Sequence, residues 1–221
     1  KQNPTGDELV RWKFQRYIRD YMRCIHAIDE QVGRLLDYLE KNGLMDNTLI
    51  VYTSDQGFYM GEHGWFDKRF MYEESFRTPL IVYAPDARRA RESQALVQNI
   101  DFAPTYLDIA GIEKPQEMVG RSLLPVLQKG KQPKDWRKYI YYHYYDFPAV
   151  HHVSRHDGVS DGRYKLIHFY GPEGTYDELY DLRKDPNELN NVISEDKYRG
   201  HRERLQKQLV AFRAEQNVDE W

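Results

Sequence analysis

The stretch that decides the fold is residues 48–69, which reads TLIVYTSDQGFYMGEHGWFDKR. Its first six residues are β-branched or apolar, which predicts a short strand buried on both faces. A second strand of the same type is predicted at residues 80–83, between two prolines. In open α/β sheets, ligands bind outside the carboxyl ends of the strands. The polar loop that begins just after the first strand is therefore a candidate site.

The segments on either side of these strands have helical patterns. Apolar residues recur at steps of three and four along residues 7–42, and Gly43 ends the pattern. A shorter helix is predicted at residues 101–110, with Asp101 as its N-cap and Gly111 as its stop. Helix, strand, loop, strand and helix in this order predict an α/β fold, a mixed sheet flanked by helices.

The pattern changes after a polar segment at residues 129–135. Three further strands are predicted, at residues 139–143, 163–168 and 178–180. A last helix is predicted at residues 195–216, with Leu205, Leu209 and Phe212 on one face. We therefore divide the chain into an α/β portion at residues 1–128 and a smaller subdomain at residues 129–221, with an antiparallel sheet and a terminal helix.

Composition excludes several classes of protein. The 221 residues carry a net charge of -3, so there is no basic field for nucleic acid. The mean hydropathy of -0.84 and the lack of a long apolar run argue against a membrane span. The chain opens on Lys1 in a polar stretch and not on a methionine. We therefore expect it to be part of a longer protein.

The loop after the first strand contains the side chains that could bind a metal ion or take part in catalysis. Asp55 and Gln56 offer a carboxylate and an amide oxygen, the hard ligands that suit Ca²⁺ or Mg²⁺. Lys68, further along the same loop, could return a cation to the same place. Each residue has a plainer interpretation: Asp55 and Gln56 as a turn, His63 as a structural histidine, and Lys68 as a solvated charge.

Taken together, these residues resemble a known family. The sequence of residues 54–69, followed by EESFRTP at residues 73–79, resembles the second signature of type I sulfatases in the alkaline-phosphatase superfamily. The resemblance covers nearly the whole chain, because similar segments occur at residues 29–33, 101–105, 120–124, 163–167 and 178–188. It implies that the chain is the C-terminal half of a sulfatase, holding the C-terminal part of the mixed sheet and the subdomain that follows.

The resemblance also implies a role for each loop residue. Asp55 and Gln56 match the family's second pair of calcium ligands. Lys68 matches a lysine that contacts the sulfate oxygens and helps to neutralise the leaving group, and His63 matches a histidine of the same pocket. Glu73 and Arg77 are expected to brace the loop.

One element of the family pattern is missing. The family's nucleophile is a formylglycine made from Cys or Ser in a Cys/Ser-x-Pro-Ser/Ala-Arg motif, whereas Cys24 is followed by Ile-His-Ala. The resemblance places this motif, and the first pair of metal ligands, in an N-terminal half outside this chain. That half is the expected protein partner, and the isolated chain is expected to be inactive.

The C-terminal subdomain is expected to set specificity. The sequence YYHYYD at residues 141–146 and three further histidines, at positions 151, 152 and 156, offer groups that stack on sugars and bind hydroxyls. The pattern resembles sulfatases of N-acetylglucosamine 6-sulfate and related glycosaminoglycan or mucin sugars. His143 and His156 are the candidate substrate-binding residues. The alternative is an aromatic antiparallel sheet with surface histidines.

Three functions remain open at this point. The first is the C-terminal half of a bacterial sulfatase that is periplasmic or secreted. The second is a phosphodiesterase or phosphonate hydrolase of the same superfamily, which shares Asp55, Gln56 and Lys68. The third is a non-catalytic domain that keeps the fold for binding.

Overall fold

The computed structural model describes residues 4–85, 91–130, 132–172 and 174–218. The chain divides into two compact units, Lys1–Tyr52 with Ile81–Asp86 and Thr53–Leu80 with Ala87–Trp221. The helices are α1 (Gly6–Lys41), α2 (Glu73–Phe76), α3 (Phe102–Ile109), α4 (Leu124–Lys129) and α5 (Arg199–Gln216). The strands are β1 (Ile50–Thr53), β2 (Leu80–Tyr83), β3 (Ile140–Tyr144), β4 (Arg155–Ser160), β5 (Tyr164–Tyr170) and β6 (Tyr176–Asp181). The predicted division after residue 128 stays a prediction.

The first unit contains α1 and most of a sheet of two strands, β1 and β2. The prediction of α1 and of both strands is confirmed to within two residues. The prediction that the strands are buried on both faces is wrong, because Tyr52 is 44% exposed and Ile81 64% exposed. A two-stranded sheet leaves both faces open unless another layer covers it, and no third strand joins it within the described residues.

The second unit is built on an antiparallel sheet in the order β3-β4-β5-β6. The three predicted strands are confirmed as β3, β5 and β6. Strand β4 was not predicted, because its sequence RHDGVS has no apolar alternation. Its Asp157 is fully buried and receives two hydrogen bonds of 2.6 Å from Arg213 of α5. That distant partner is what allows a charged residue in an internal strand.

The two faces of this sheet are covered by different elements. Alternate residues of a strand lie on opposite faces. One face packs Val159 and Leu166 against Leu205 and Leu209, which confirms the apolar face predicted for the last helix. The other face carries a cluster with residues from the loop that precedes α2: Ile167, Phe169, Tyr180, Tyr59, Met71 and Tyr72. The candidate loop therefore rests on the face opposite α5.

The helix predicted at residues 101–110 is confirmed as α3 with Asp101 at its N-cap position, but the Asp101 side chain makes no capping hydrogen bond to that helix. A 3-10 turn, Asn99–Asp101, precedes the helix, so the chain enters it one turn earlier than predicted. The buried carboxylate of Asp101 accepts the Gln98 N–H (2.8 Å) and the Arg121 N–H (2.9 Å), and it pairs with Arg137. It therefore fixes the loops around α3 and does not cap that helix.

Candidate functional site

The candidate site begins where β1 ends, at Asp55. Its side chain is exposed, and its Oδ1 accepts the backbone N–H of Gln56 at 3.0 Å. Its backbone carbonyl accepts a hydrogen bond of 2.7 Å from Asn99 Nδ2, which fixes the backbone at Asp55. Gln56 is half-buried. The pair presents oxygen atoms at the carboxyl end of a strand, which is the position expected for a ligand site in an α/β sheet.

Residue Ser75 of α2 joins the two ends of the candidate loop. The Gly57 N–H donates to the Ser75 carbonyl at 2.7 Å, and the Ser75 hydroxyl donates to the Lys68 carbonyl at 2.6 Å. A Cβ on Gly57 would lie 1.9 Å from the carbonyl oxygen of Glu74, so only glycine permits this approach. The backbone after Gln56 and the backbone of Lys68 are thus held by one buried serine.

Lys68 is exposed, although its backbone carbonyl is held by the Ser75 hydroxyl. Within the part of the chain that the structure describes, its ammonium makes no hydrogen bond or ion pair. An ammonium on a fixed backbone, without a protein counter-ion, is available to an anionic ligand.

His63 occupies a strained position in the same loop. Its φ of 52° lies in the left-handed region, which is uncommon for a residue other than glycine. Its ring stacks on Tyr72 with the centroids 4.5 Å apart, and Nε2 faces the Oε2 atom of Glu74 at 3.5 Å. Backbone strain of this kind costs on the order of 1–3 kcal/mol and is concentrated at functional sites. The catalytic role of His63 stays a prediction.

A group of aromatic side chains, Tyr59, Trp65, Phe70 and Tyr142, packs against the loop on the side that faces the sheet. Tyr59 is fully buried, and its hydroxyl donates to the Phe70 carbonyl at 3.1 Å. Burial raises the pKa of Tyr59 far above its ordinary value, so the phenol stays neutral and acts as a support. Trp65 stacks on Phe70 at 3.9 Å, and the Tyr142 hydroxyl of β3 donates to the Arg69 carbonyl at 2.6 Å.

His156 packs against the same group of aromatic side chains. It is completely buried, with ring contacts to Phe70 (5.5 Å), Tyr142 (5.6 Å) and Phe169 (5.0 Å). Its Nδ1 lies 2.9 Å from the Ser154 carbonyl, and burial lowers the pKa of His156 to about 4, so the ring is neutral near pH 7. Its substrate role stays a prediction, and its burial limits any such role to an effect through the residues above it.

His143 lies on the opposite face of the sheet. In the register of β3 and β4 it is paired with Asp157, so it shares the face covered by α5. Its Nε2 is 2.7 Å from the Tyr170 hydroxyl, and burial lowers the pKa of His143. The structure brings Asp55, Gln56, His63 and Lys68 into one loop but separates the two predicted substrate histidines. The role of His143 also stays a prediction.

Two residues that support the loop were missed in the sequence: Ser75 and Lys165. A signal for Lys165 is present, because it alternates with Ile167 and Phe169, which are inward-facing apolar residues of β5. No comparable signal identifies Ser75, because its role depends on a contact with residues of the loop.

The donor set at the site suits a hard cation but is small. Asp55 and Gln56 supply carboxylate and amide oxygens, whereas Ca²⁺ takes about six to eight oxygen ligands. Within residues 4–85, 91–130, 132–172 and 174–218, no group of three or more His, Cys, Asp or Glu side chains is placed to hold a metal ion. The two residues therefore fit as part of a calcium site and not as a complete one.

The fold and the loop define a member of the sulfatase class. A family model described as "Sulfatase" matches residues 1–112, and one described as "N-sulphoglucosamine sulphohydrolase, C-terminal" matches residues 61–215. The chain belongs to the sulfatase family.

Individual relatives narrow the comparison. An N-acetylglucosamine-6-O-sulfatase of Bacteroides thetaiotaomicron is 54% identical over 200 residues, which are 90% of this chain and 36% of that protein. A solved structure of a protein in complex with its substrate D-glucosamine-2-N,6-O-disulfate is 51% identical, with a TM-score of 0.92 over 97% of this chain and 44% of the other. A phosphonate monoester hydrolase from Silicibacter pomeroyi is 29% identical, with a TM-score of 0.75 over 85% of this chain and 39% of the other. The chain thus spans less than half the length of these relatives.

Proposed function

We propose that the complete protein hydrolyses sulfate esters of sugars, with N-acetylglucosamine 6-sulfate or a related 6-sulfated glucosamine as substrate. The observation that carries this proposal is the pairing, through Ser75, of the backbone beside Gln56 with that of Lys68, whose ammonium is exposed. The relative at 54% identity, an N-acetylglucosamine-6-O-sulfatase, supports the choice of sugar.

The residues of this chain have distinct parts in the proposed reaction. Asp55 and Gln56 would hold a Ca²⁺ ion (or Mg²⁺), which when bound polarises the sulfate and offsets its negative charge. Lys68 places a positive charge where negative charge grows on the ester oxygen as its bond to sulfur breaks. His63 lines the same sulfate pocket in this proposal, with its Nε2 facing Glu74 Oε2 at 3.5 Å. The nucleophile, a formylglycine in this proposal, belongs to the N-terminal half of the protein.

We also propose that the N-terminal half packs against apolar side chains of α1 and β2 that are exposed in this chain. Ile28 and Leu35 of α1 are 52% and 53% exposed, and Ile81 of β2 is 64% exposed. Large apolar side chains in such number favour burial against another part of the same protein. Within the described residues, no helix has the length and apolar character needed to cross a membrane. We propose a periplasmic or secreted location, as for a bacterial sulfatase that degrades glycans.

The proposed activity is tested by incubating the complete protein with N-acetylglucosamine 6-sulfate, an aryl sulfate and an aryl phosphonate monoester. We expect release of sulfate from both sulfate esters with a higher kcat/KM than for the phosphonate. The 221-residue chain alone is the control and is expected to give no turnover, because it carries no formylglycine motif.

Two results would contradict this proposal. A preference for the phosphonate ester would favour the second candidate, a phosphonate hydrolase, which the likeness to a phosphonate monoester hydrolase supports. Sulfate release by the isolated chain above the blank would show that a nucleophile lies within these residues.

Calcium binding by the isolated chain should be weak or absent. Two oxygen-bearing side chains are too few for Ca²⁺, which takes about six to eight oxygen ligands. Isothermal titration calorimetry on the wild-type chain, on Asp55→Ala and on the exposed control Asp46→Ala measures this directly. Micromolar affinity that is lost in Asp55→Ala and kept in Asp46→Ala would mean that further ligands lie within this chain.

A further inference from the structure

A charged side chain, Lys165, is completely buried between the sheet and α2. Its ammonium lies 2.7 Å from Glu73 Oε1 and 2.8 Å from Glu188 Oε1, and it donates to the Met71 carbonyl at 2.8 Å. It also lies 5.2 Å from the centre of the Phe76 ring. A buried ammonium is tolerated only when carboxylates and hydrogen bonds replace its water. The burial of Lys165 therefore depends on the carboxylates of Glu73 and Glu188, and each carboxylate is in turn stabilised by the Lys165 ammonium.

Glu188 is held in this cluster by its backbone as well as by its charge. Its φ is 52°, and its Oε2 accepts the backbone N–H of Glu73 at 2.6 Å. A left-handed glutamate is unusual and persists only where its surroundings fix it. Glu188 thus joins the segment after β6 to the first residue of α2.

Each residue of α2 makes a contact that matters to the candidate loop. Glu73 binds Lys165, and Glu74 faces His63 at 3.5 Å. Ser75 holds Gly57 and Lys68, as described above, and Phe76 packs edge-on against Tyr142 at 5.8 Å. A helix of four residues has no stability of its own, because isolated helices shorter than about 12 residues are marginal in water. Its position is therefore set by these contacts, and two of its residues contact the buried Lys165 ammonium: Glu73 through its carboxylate and Phe76 through its ring.

We propose that Lys165, Glu73 and Glu188 form a positioning cluster, which holds α2 and, through Ser75 and Glu74, sets the geometry of Gly57, Lys68 and His63. None of the three touches the reacting atoms in this proposal. The inference rests on the proposed sulfatase function, because its expected consequence is a change in the help that Lys68 gives to the leaving group.

The charge balance of the positioning cluster supports a dependence on pH. One ammonium faces two carboxylates, so the cluster is neutral only when one carboxyl group is protonated. Burial raises the pKa of Glu188 from its ordinary 4.5 to about 7, Lys165 opposes that rise and Glu73 adds to it. Tyr59 and Tyr180 also face the charge of Glu188. Between about pH 4.5 and 7 the folded protein binds this proton and the unfolded chain does not, so the contribution of Glu188 to stability falls as pH rises through that window.

The test compares Lys165→Met with the exposed control Lys207→Met in the complete enzyme, on a sugar sulfate and on an aryl sulfate with a good leaving group. Misplacing Lys68 should lower kcat at least tenfold on the sugar sulfate, with a smaller loss on the aryl sulfate and little change in KM. Lys207→Met should match the wild type. A purely structural role would lower the activity on both substrates by the same factor, because less of the protein would be folded.

Two further variants keep the test decisive if Lys165→Met does not fold. Ser75→Ala removes the contact with Lys68 but leaves the buried charges, and it should show the same unequal loss. Glu188→Gln removes the titrating group, and it should flatten the pH dependence of the thermal midpoint between pH 5 and 7. Equal losses on both substrates in Ser75→Ala, or an unchanged pH profile in Glu188→Gln, would overturn the positioning cluster. Absence of any sulfate release by the wild-type enzyme would instead overturn the proposed function.

Discussion

Replacing Lys68 by alanine in the complete enzyme should lower kcat about 10²–10³-fold, the usual cost of losing one preorganised group that stabilises transition-state charge. Lys68 is exposed, and its backbone carbonyl accepts a hydrogen bond of 2.6 Å from the Ser75 hydroxyl. Its attraction to the ester oxygen is greatest when the bond to sulfur is breaking, so KM should change little. Steady-state kinetics on a sugar sulfate and on aryl sulfates of different leaving-group pKa measure the effect.

The leaving group provides the sharpest control for Lys68→Ala. Aryl sulfates with good leaving groups need less help at the ester oxygen, so they should lose less activity than sugar sulfates. Lys207→Ala, a change of an exposed lysine in α5, should leave both rates unchanged. Equal losses on every substrate, or a change confined to KM, would show that Lys68 binds ground-state sulfate and does not assist the leaving group.

The second large effect is expected from Gly57→Ala, which should lower kcat on the order of 10²-fold, because a misplacement of about 1 Å can cost that much. The added methyl would lie 1.9 Å from the Glu74 carbonyl oxygen, so the loop and α2 must separate. Gln56 and Lys68 would then move together, and both sugar and aryl sulfates should suffer. Overpacking of this kind also costs about 1–3 kcal/mol of stability, which thermal unfolding would report.

A matched control for Gly57→Ala is Gly200→Ala in α5. An added Cβ there has no heavy atom within 4 Å, and the backbone is not left-handed. We expect this change to leave kcat unaltered and to stabilise the protein slightly, since alanine favours a helix. If Gly57→Ala were as active and as stable as Gly200→Ala, the contact of Gly57 with α2 would not position the site.

Much of the fold could be predicted from local patterns. The apolar period of α1, the short β-branched runs of β1 and β2, and the apolar face of α5 each follow from neighbouring residues. Strand β4 could not be predicted, because its Asp157 needs Arg213, which lies 56 residues further along the chain. The exposure of β1 was also missed, because an apolar run indicates what a strand prefers to contact and not what covers it.

The candidate site was predicted unevenly for a similar reason. Asp55, Gln56, His63 and Lys68 follow one another in a single loop, so their grouping is visible in the sequence. Lys165 supports the same loop from β5, 97 positions after Lys68 in the numbering, and its role becomes visible only when β5 packs beneath α2.

The sequence by itself determined the family, the α/β class, the antiparallel subdomain and the loop that bears the candidate catalytic groups, because each depends on residue types at short spacing. The tertiary structure alone decided how the loop is held and which way the histidines face. His143 pairs with Asp157 in the register of β3 and β4, which puts the neighbouring His156 on the opposite face. A shift of one residue in that register would exchange the faces, and the register is fixed by long-range packing, not by the local sequence.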